Sequence, residues 1–256
     1  MKIIFRSCAL IEQLSPLTRR PFDLKKEDVS LISFVSLLES CKETENKIDI
    51  EIVDDSSPDA HIKKLEKVID NYKNNNIKIK LNRFYFKNNG KSLEQSYFIA
   101  EKTNEKIIYF CEDDYIHLKP AIKDILEVYE NKPFKLQDFS VFPCDYPTFY
   151  ENYYPSFIFV SKSRHWRSIK NTTGTFFTTK KIFNKYKEYF FAFAEYNKDG
   201  RGGEEYTLNR IWEKSPLISP IETLATHFHT ATLSPFIDWY KIIGLYKNKI
   251  NDYSGK

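Results

Sequence analysis

The sequence predicts an α/β protein: a mostly parallel sheet flanked by helices, followed by a less regular C-terminal extension. Two observations carry this. Strand-like runs alternate with helical-period segments four times within residues 1–130, a pattern that packs as parallel strands joined by right-handed crossovers. Two of those strands also end in acidic turns, at the edge where such sheets collect ligands. With 256 residues the chain can build one large core. We expect a single domain over 1–256. Residues 1–130 form its regular half, 131–232 complete it and supply a second substrate surface, and 233–256 are an amphipathic helix or tail.

KIIFRSCA, residues 2–9, reads as the first strand, followed by a polar loop through RRP. In EDVSLISFVSLLESCK, Val29, Ile32, Val35 and Leu38 recur at helical spacing. In KIDIEIVDDSSPD, Ile48, Ile50 and Ile52 alternate with polar residues and Val53 extends the apolar run, as in a strand. Pro58 suits the first turn of the next helix, HIKKLEKVIDNY. IKIKLNRF with SLEQSYFIAEK, then KIIYFCEDD with KPAIKDILEVYE, repeat the cycle. Past residue 131 the alternation loosens into the aromatic, proline-containing FSVFPCDYPTFYENYYPSFIFVSK and RHWRSIKNTTGTFFTTKKIF. A helix KKIFNKYKEYFFAFAEY and a glycine-marked helix start in DGRGGEEYTLNRIWEK precede ATHFHTATLSP.

Composition narrows the classes of function. Hydrophobic residues at 41% and aromatics at 16% describe a globular chain, with disorder expected only in the last few residues. The 39 basic and 35 acidic side chains nearly cancel, which argues against a dedicated nucleic-acid binder. No apolar run is long enough to span a bilayer, and Arg6 interrupts the opening segment, so a cytoplasmic protein is expected. Cys8, Cys41, Cys111 and Cys144 are widely separated and form no CxxC pair, so buried, reduced thiols are expected.

The chemistry concentrates at two strand ends. IIYFCEDDY sets Glu112, Asp113 and Asp114 against an apolar run, and adjacent like charges need a cation among them. Hard carboxylate oxygens at a strand end suit Mg²⁺ or Mn²⁺, which bridge to substrate phosphates. The plainer reading is a solvated loop in which Asp113 or Asp114 caps the helix after Pro120. Asp54 and Asp55 in DDSSPD are good turn formers, and also fit acceptors for a nucleobase imide or ribose hydroxyls. Alternation in ATHFHT sends His227 and His229 to one side and Phe228 to the other. Gly174, within NTTGTFFTT, could let the backbone approach a sugar closely. Tyr153, Tyr154 and Trp166 could stack on sugar faces, although most aromatics in such a chain are core.

IVDDSS, NNGKSLEQSYFIAEK, FCEDDY and GGEEYTLNRIW, in this order and at these intervals, resemble the motifs of GT-A glycosyltransferases, particularly inverting family 2. The resemblance covers most of the chain. It implies a Rossmann-like sheet, a nucleotide-diphosphate sugar donor, a Mn²⁺ or Mg²⁺ cofactor and a glycan or lipid-linked glycan acceptor. Carried onto this chain, it assigns nucleotide or substrate binding to Asp54, Asp55, Arg83 and Asp113. It assigns the metal to Glu112 and Asp114, with His227 or His229, and the catalytic base to Glu205 or, second, Glu204. Two departures stand out: the DxD motif reads EDD, and the later acidic pair is Glu-Glu. The plainer reading of Glu204 and Glu205 is charge complementing a helix dipole.

A sugar-phosphate nucleotidyltransferase is the alternative enzyme, but FRSCALIEQLSP lacks the glycine-rich loop those enzymes use for triphosphate. A non-catalytic carbohydrate-binding or assembly protein is the third reading. The tail SPFIDWYKIIGLYKNKIND has the composition of an interfacial helix that can rest on anionic lipid, with docking on its own domain as the alternative.

Overall fold

The computed structural model describes residues 1–10, 20–132, 138–151 and 153–254. Most of the polar loop predicted after the first strand, and the end of the tail, lie outside the described residues. The regular half runs β1 (Lys2–Ser7), α1 (Lys26–Cys41), β2 (Ile48–Asp55), α2 (Asp59–Tyr72), β3 (Ile77–Phe84), α3 (Asn89–Lys102), β4 (Ile107–Glu112), β5 (Tyr115–His117) and α4 (Ala121–Glu130). There follow β6 (Ser140–Val141), α5 (Thr148–Glu151), β7 (Ile158–Val160), β8 (His165–Ile169), β9 (Phe176–Thr179), α6 (Lys180–Lys185) and α7 (Lys187–Lys198). The chain closes with α8 (Leu208–Trp212), β10 (Leu217–Pro220), β11 (Ala225–His227) and α9 (Trp239–Ser254).

One nine-stranded sheet runs β3-β2-β1-β4-β9-β6-β10-β8-β7 and draws on both halves of the chain. β3, β2, β1 and β4 are parallel, as the βα repeats require. β9 runs antiparallel to β4 and β6, and β8 antiparallel to β10, so the second half makes the sheet mixed. β5 and β11 form a separate antiparallel ribbon. α1, α2, α4 and α9 pack together on one side; α3, α6, α7 and α8 form the other group. The strand order reverses at β1: β2 and β3 lie to one side of it and β4 to the other. That switch point opens a crevice at the carboxyl ends of β1 and β4.

Buried serines on α1 fix the chain that leaves β4. The Ser36 hydroxyl accepts the His117 N–H at 2.9 Å, and the Ser40 hydroxyl accepts the Ile122 N–H at 3.0 Å. These bonds anchor β5 and the first turn of α4 on α1, so the acidic stretch between β4 and β5 is held at both ends. Neither Asp113 nor Asp114 caps α4, whose N-cap is Pro120 with no side-chain bond.

Two predicted helices differ from what forms. The segment KKIFNKYKEYFFAFAEY breaks at Tyr186 (φ −117°, ψ 23°) into α6 and α7, and Phe183 and Phe190 converge there at 5.1 Å. The glycine-marked start does not open a helix at Glu204. Gly200, Gly202 and Gly203 take φ of 70°, 70° and 97°, a region open to glycine, and coil the chain first. Thr207 (φ −128°, ψ −88°) then interrupts the path, leaving Glu204–Tyr206 as one 3-10 turn ahead of α8. A single turn offers little dipole for Glu204 and Glu205 to complement.

α9 docks on its own domain. Trp239, Ile243 and Tyr246 are buried, the Tyr246 hydroxyl donates to the His117 carbonyl at 3.0 Å, and Lys249 pairs with buried Glu39 at 2.7 Å. Phe236, Tyr240 and Leu245 remain exposed. Among the described residues no helix is long and apolar enough to cross a membrane. Cys41, Cys111 and Cys144 are free and buried, and Cys8 is half-buried.

Candidate active site

A cavity of about 520 Å³ opens at the switch point. Its floor comes from the ends of β1 and β4, through Arg6, Ser7, Glu112, Asp113 and Asp114. Asp55, Lys87, Asn88 and Asn89 form one wall, and Asn197, Lys198, Gly200 and Gly202 another.

Each carboxylate of the triplet meets a different cationic side chain. Glu112 pairs directly with Arg6 of β1. Asp113 pairs directly with Lys26 of α1 and accepts the Cys8 N–H at 3.0 Å. Asp114 lies 3.4 Å from His227 Nε2 and 4.0 Å from Lys26 Nζ. Burial alone would raise the Asp114 carboxyl, but His227 and Lys26 outweigh it and hold the group well below the usual carboxylate range. Burial likewise opposes charge on His227, and Asp114 reverses this, raising the imidazole above its ordinary value.

The Glu112 carboxylate faces Arg6 on one side and the Gly174 loop on the other. It lies against Gly174, where an added Cβ would come within 2.9 Å of Oε1, and it accepts a 3.4 Å bond from the Thr175 hydroxyl. The close approach predicted for Gly174 is therefore taken up by Glu112. Arg6 also reaches Asn89, and Ser92 at 3.0 Å, tying β1, β4 and α3 into one corner.

Asp54 and Asp55 diverge. Asp55 accepts the Lys87 and Asn88 N–H groups at 2.8 and 3.0 Å, clasping the loop before α3 and holding Lys87 at φ 49°. Asp54 is fully buried and accepts the Ser57 N–H at 3.3 Å, while its Oδ1 has no partner. Burial raises its carboxyl above the ordinary value. Arg83 sits behind this turn, donating to the Ser57 carbonyl at 3.2 Å and pairing with Asp59 at 3.0 Å.

His227 and His229 do share one side, their rings stacked 5.5 Å apart, with Phe228 buried opposite. His227 Nδ1 is engaged by the Thr232 hydroxyl at 3.2 Å, so Nε2 is the nitrogen left facing Asp114. His229 Nδ1 accepts the Ala231 N–H at 3.2 Å. Glu204 is half-buried, its Oε2 3.1 Å from where a Gly202 Cβ would stand. Glu205 is exposed on the same turn. Sequence reasoning missed Arg6 and Lys26. Arg6 carried a signal, because a charge inside the first strand needs an acidic neighbour.

Among the described residues no group of three His, Cys, Asp or Glu side chains forms a metal cage. A smaller donor set does fit a divalent ion. Asp114 Oδ1 is buried without a partner, and His227 Nε2 faces the same carboxylate. Mg²⁺ and Mn²⁺ commonly take one or two protein ligands and complete their shell with substrate phosphate and water.

Residues 31–200 match the family described as Glycosyl transferase family 2, and the chain belongs to that family. It is a glycosyltransferase of the GT-A type. No curated protein matches it in sequence. Among solved structures it resembles S. aureus TarS 1-349, at 15% identity and TM-score 0.53, covering 97% of this chain and 64% of that one. A galactosyltransferase, LgtC, solved with donor and acceptor sugar analogs, gives 8% identity and TM-score 0.52, covering 98% and 96%. A UDP-glucose pyrophosphorylase complexed with UDP-glucose gives 12% identity and TM-score 0.55, covering 97% and 98%. At these identities the likeness is one of fold.

Proposed function

We propose that this protein transfers a sugar from a nucleotide-diphosphate sugar to a hydroxyl of a glycan or lipid-linked glycan, with inversion and with a divalent ion. Such a reaction belongs to the assembly of a surface polysaccharide or other glycoconjugate. The supporting observation is the acidic triplet at the switch-point cavity, with Asp114 Oδ1 unpartnered beside His227.

Asp114 and His227 would hold the ion, which when bound supplies Lewis acidity at the departing diphosphate. Arg6 and Lys26 pair with Glu112 and Asp113 and hold them in place, so the floor needs no rearrangement as charge develops. Asp55 lines the cavity where a nucleoside would lie, whereas Asp54 is fully buried beneath it and would meet a nucleobase or ribose only if the turn opened. Glu205 takes the proton of the attacking hydroxyl. Glu205 is exposed three residues beyond the cavity-lining Gly202, so it would serve an acceptor held over that rim, whereas Glu204 leans on Gly202.

The test is thermal stabilisation by uridine and guanosine diphosphates with Mn²⁺, with Mg²⁺ and with chelator, followed by sugar-donor hydrolysis. Stabilisation should require the ion and vanish in Asp114→Asn. Glu205→Gln should retain nucleotide binding and lose transfer. An Asp114→Asn enzyme with full transfer activity would overturn the metal assignment. Pyrophosphate release from a nucleoside triphosphate and a sugar phosphate would point instead to nucleotidyl transfer.

A further inference from the structure

A chain of side-chain hydrogen bonds joins the floor of the cavity to its glycine-rich wall, and the chain has a direction. It starts at Glu112, which pairs with Arg6. Arg6 Nη1 donates to Asn89 Oδ1, Asn89 Nδ2 donates to Asn197 Oδ1 at 2.9 Å, and Asn197 Nδ2 donates to the Gly202 carbonyl at 2.8 Å. A guanidinium has donors and no acceptor, so Asn89 must turn its oxygen to Arg6 and its nitrogen to Asn197. Asn197 must then offer its oxygen, which leaves its nitrogen for the carbonyl beyond. The ion pair on the floor thus sets which way both amides face.

Asn197 stands in the last turn of α7, is buried, and lines the cavity. Its Nδ2 also donates to the Phe193 carbonyl at 2.9 Å, one turn back. Both amide hydrogens and the amide oxygen are therefore engaged, the condition under which a buried polar group rigidifies what it touches.

What it touches is the glycine coil. Gly200, Gly202 and Gly203 all sit at positive φ, and glycine backbone is the costliest to order. The Gly200 and Arg201 N–H groups close back onto the Asn197 and Tyr196 carbonyls, each at 3.2 Å. The Asn197 side chain adds the bond to Gly202, two residues before the Glu204–Tyr206 turn. A coil that pivots at Gly202 carries that turn, and both of its carboxylates, with it.

We propose that Asn197 is a positioning residue for the acceptor base: through Asn89 and Arg6 it ties the glycine coil to the donor floor, so that the turn bearing Glu205 stays at the cavity rim. The idea rests on the glycosyltransferase reading with Glu205 as its base.

Two substitutions cut the tether by different routes. Asn197→Asp keeps the shape and can still accept from Asn89, but sets a carboxylate against the Gly202 and Phe193 carbonyls. Asn89→Asp leaves Asn197 in place and has no N–H to give it, so the Asn197 amide has to turn its nitrogen toward the new carboxylate and its oxygen toward Gly202. Asn71→Ser, which removes a side-chain bond to the carbonyl one turn back on exposed α2, is the control.

The full chain is digested briefly with trypsin, and cleavage after Arg201, exposed within the coil, is followed by mass spectrometry. Both tether variants should be cut there about fivefold to tenfold faster than wild type and Asn71→Ser, the effect of one lost hydrogen bond on the open population. Calorimetry checks each fold; if Asn197→Asp does not fold, Asn89→Asp decides by its cleavage rate. Hydrolysis of UDP- and GDP-sugars, in which water takes the acceptor's place, is measured for wild type and Asn197→Asp. The variant's kcat should fall about tenfold with the donor KM within about twofold, because the base is misplaced and the donor floor is not. Wild-type cleavage rates in both tether variants would overturn the proposal. So would an Asn197→Asp enzyme with full kcat, or one whose loss lies wholly in KM. Wild type that hydrolyses no nucleotide sugar would sink the glycosyltransferase reading, and with it the role of the base, while the cleavage rates still judge the tether.

Discussion

Replacing Lys26 with methionine tests the charge balance that holds the acidic strand end. The Lys26 and Asp113 side chains keep only 11% and 8% of their surface exposed and pair directly. Among the described residues the other donor to Asp113 is the Cys8 N–H at 3.0 Å. Methionine preserves much of the stem's packing and removes the charge, leaving a buried carboxylate with one backbone bond. Breaking one side of a buried pair costs about 3–5 kcal/mol. The retained N–H and the adjoining cavity, which admits water, place the expected loss near the lower end, about 3 kcal/mol. Urea unfolding at neutral pH would be measured for wild type, Lys26→Met, Asp113→Asn and the double variant. The double variant should be more stable than Lys26→Met, because the stranded charge is gone. A Lys26→Met protein within about 1 kcal/mol of wild type, the range of an exposed pair, would refute the reasoning.

Other outcomes follow from groups elsewhere in the fold. Burial would raise the Glu39 carboxyl, but bonds from Lys249, Tyr72 and Lys42 lower it from 4.5 to about 2. Its folded value is depressed, so its contribution, about 3 kcal/mol, is present above pH 4.5 and lost as pH falls toward 2. Glu39→Gln should flatten stability across that window, measured by tryptophan fluorescence in urea. At Gly90 an added Cβ would stand 2.3 Å from the Ala194 carbonyl oxygen and 2.3 Å from the Lys198 nitrogen, neither of which can swing aside. Gly90→Ala should force α3 and α7 apart and lower Tm by roughly 5–10 °C in calorimetry. Gly174→Ala should instead displace the Glu112 carboxylate and slow donor hydrolysis about tenfold to a hundredfold, with a smaller change in Tm.

The parallel half of the sheet was legible because its strands and helices carry their own periodicities. Ile48, Ile50 and Ile52 are all fully buried, and the helix from Val29 to Leu38 packs its apolar residues as spaced. The second half was harder to read because its structure depends on long-range partners. β9 lies between β4 and β6, which no local pattern encodes. The helix expected at Glu204 fails because three residues at positive φ and a non-helical Thr207 take up the chain first. Periodicity counts apolar spacing and does not register these local conformations.

At the acidic site the sequence exposed the carboxylates and concealed their counter-ions. Glu112, Asp113 and Asp114 are adjacent in the chain, so their need for positive charge could be read at once. The cations come from Arg6, Lys26 and His227, on β1, α1 and β11, elements that only the folded topology brings together. This pairing also bears on the proposed chemistry. Three carboxylates set against three basic groups leave the floor close to neutral, so Arg6 and Lys26 are largely spent before a diphosphate arrives. The diphosphate's own charge then falls to cations not engaged on the floor: Lys87 on the cavity wall and, in the proposed reaction, an ion at Asp114, where one buried oxygen still lacks a partner.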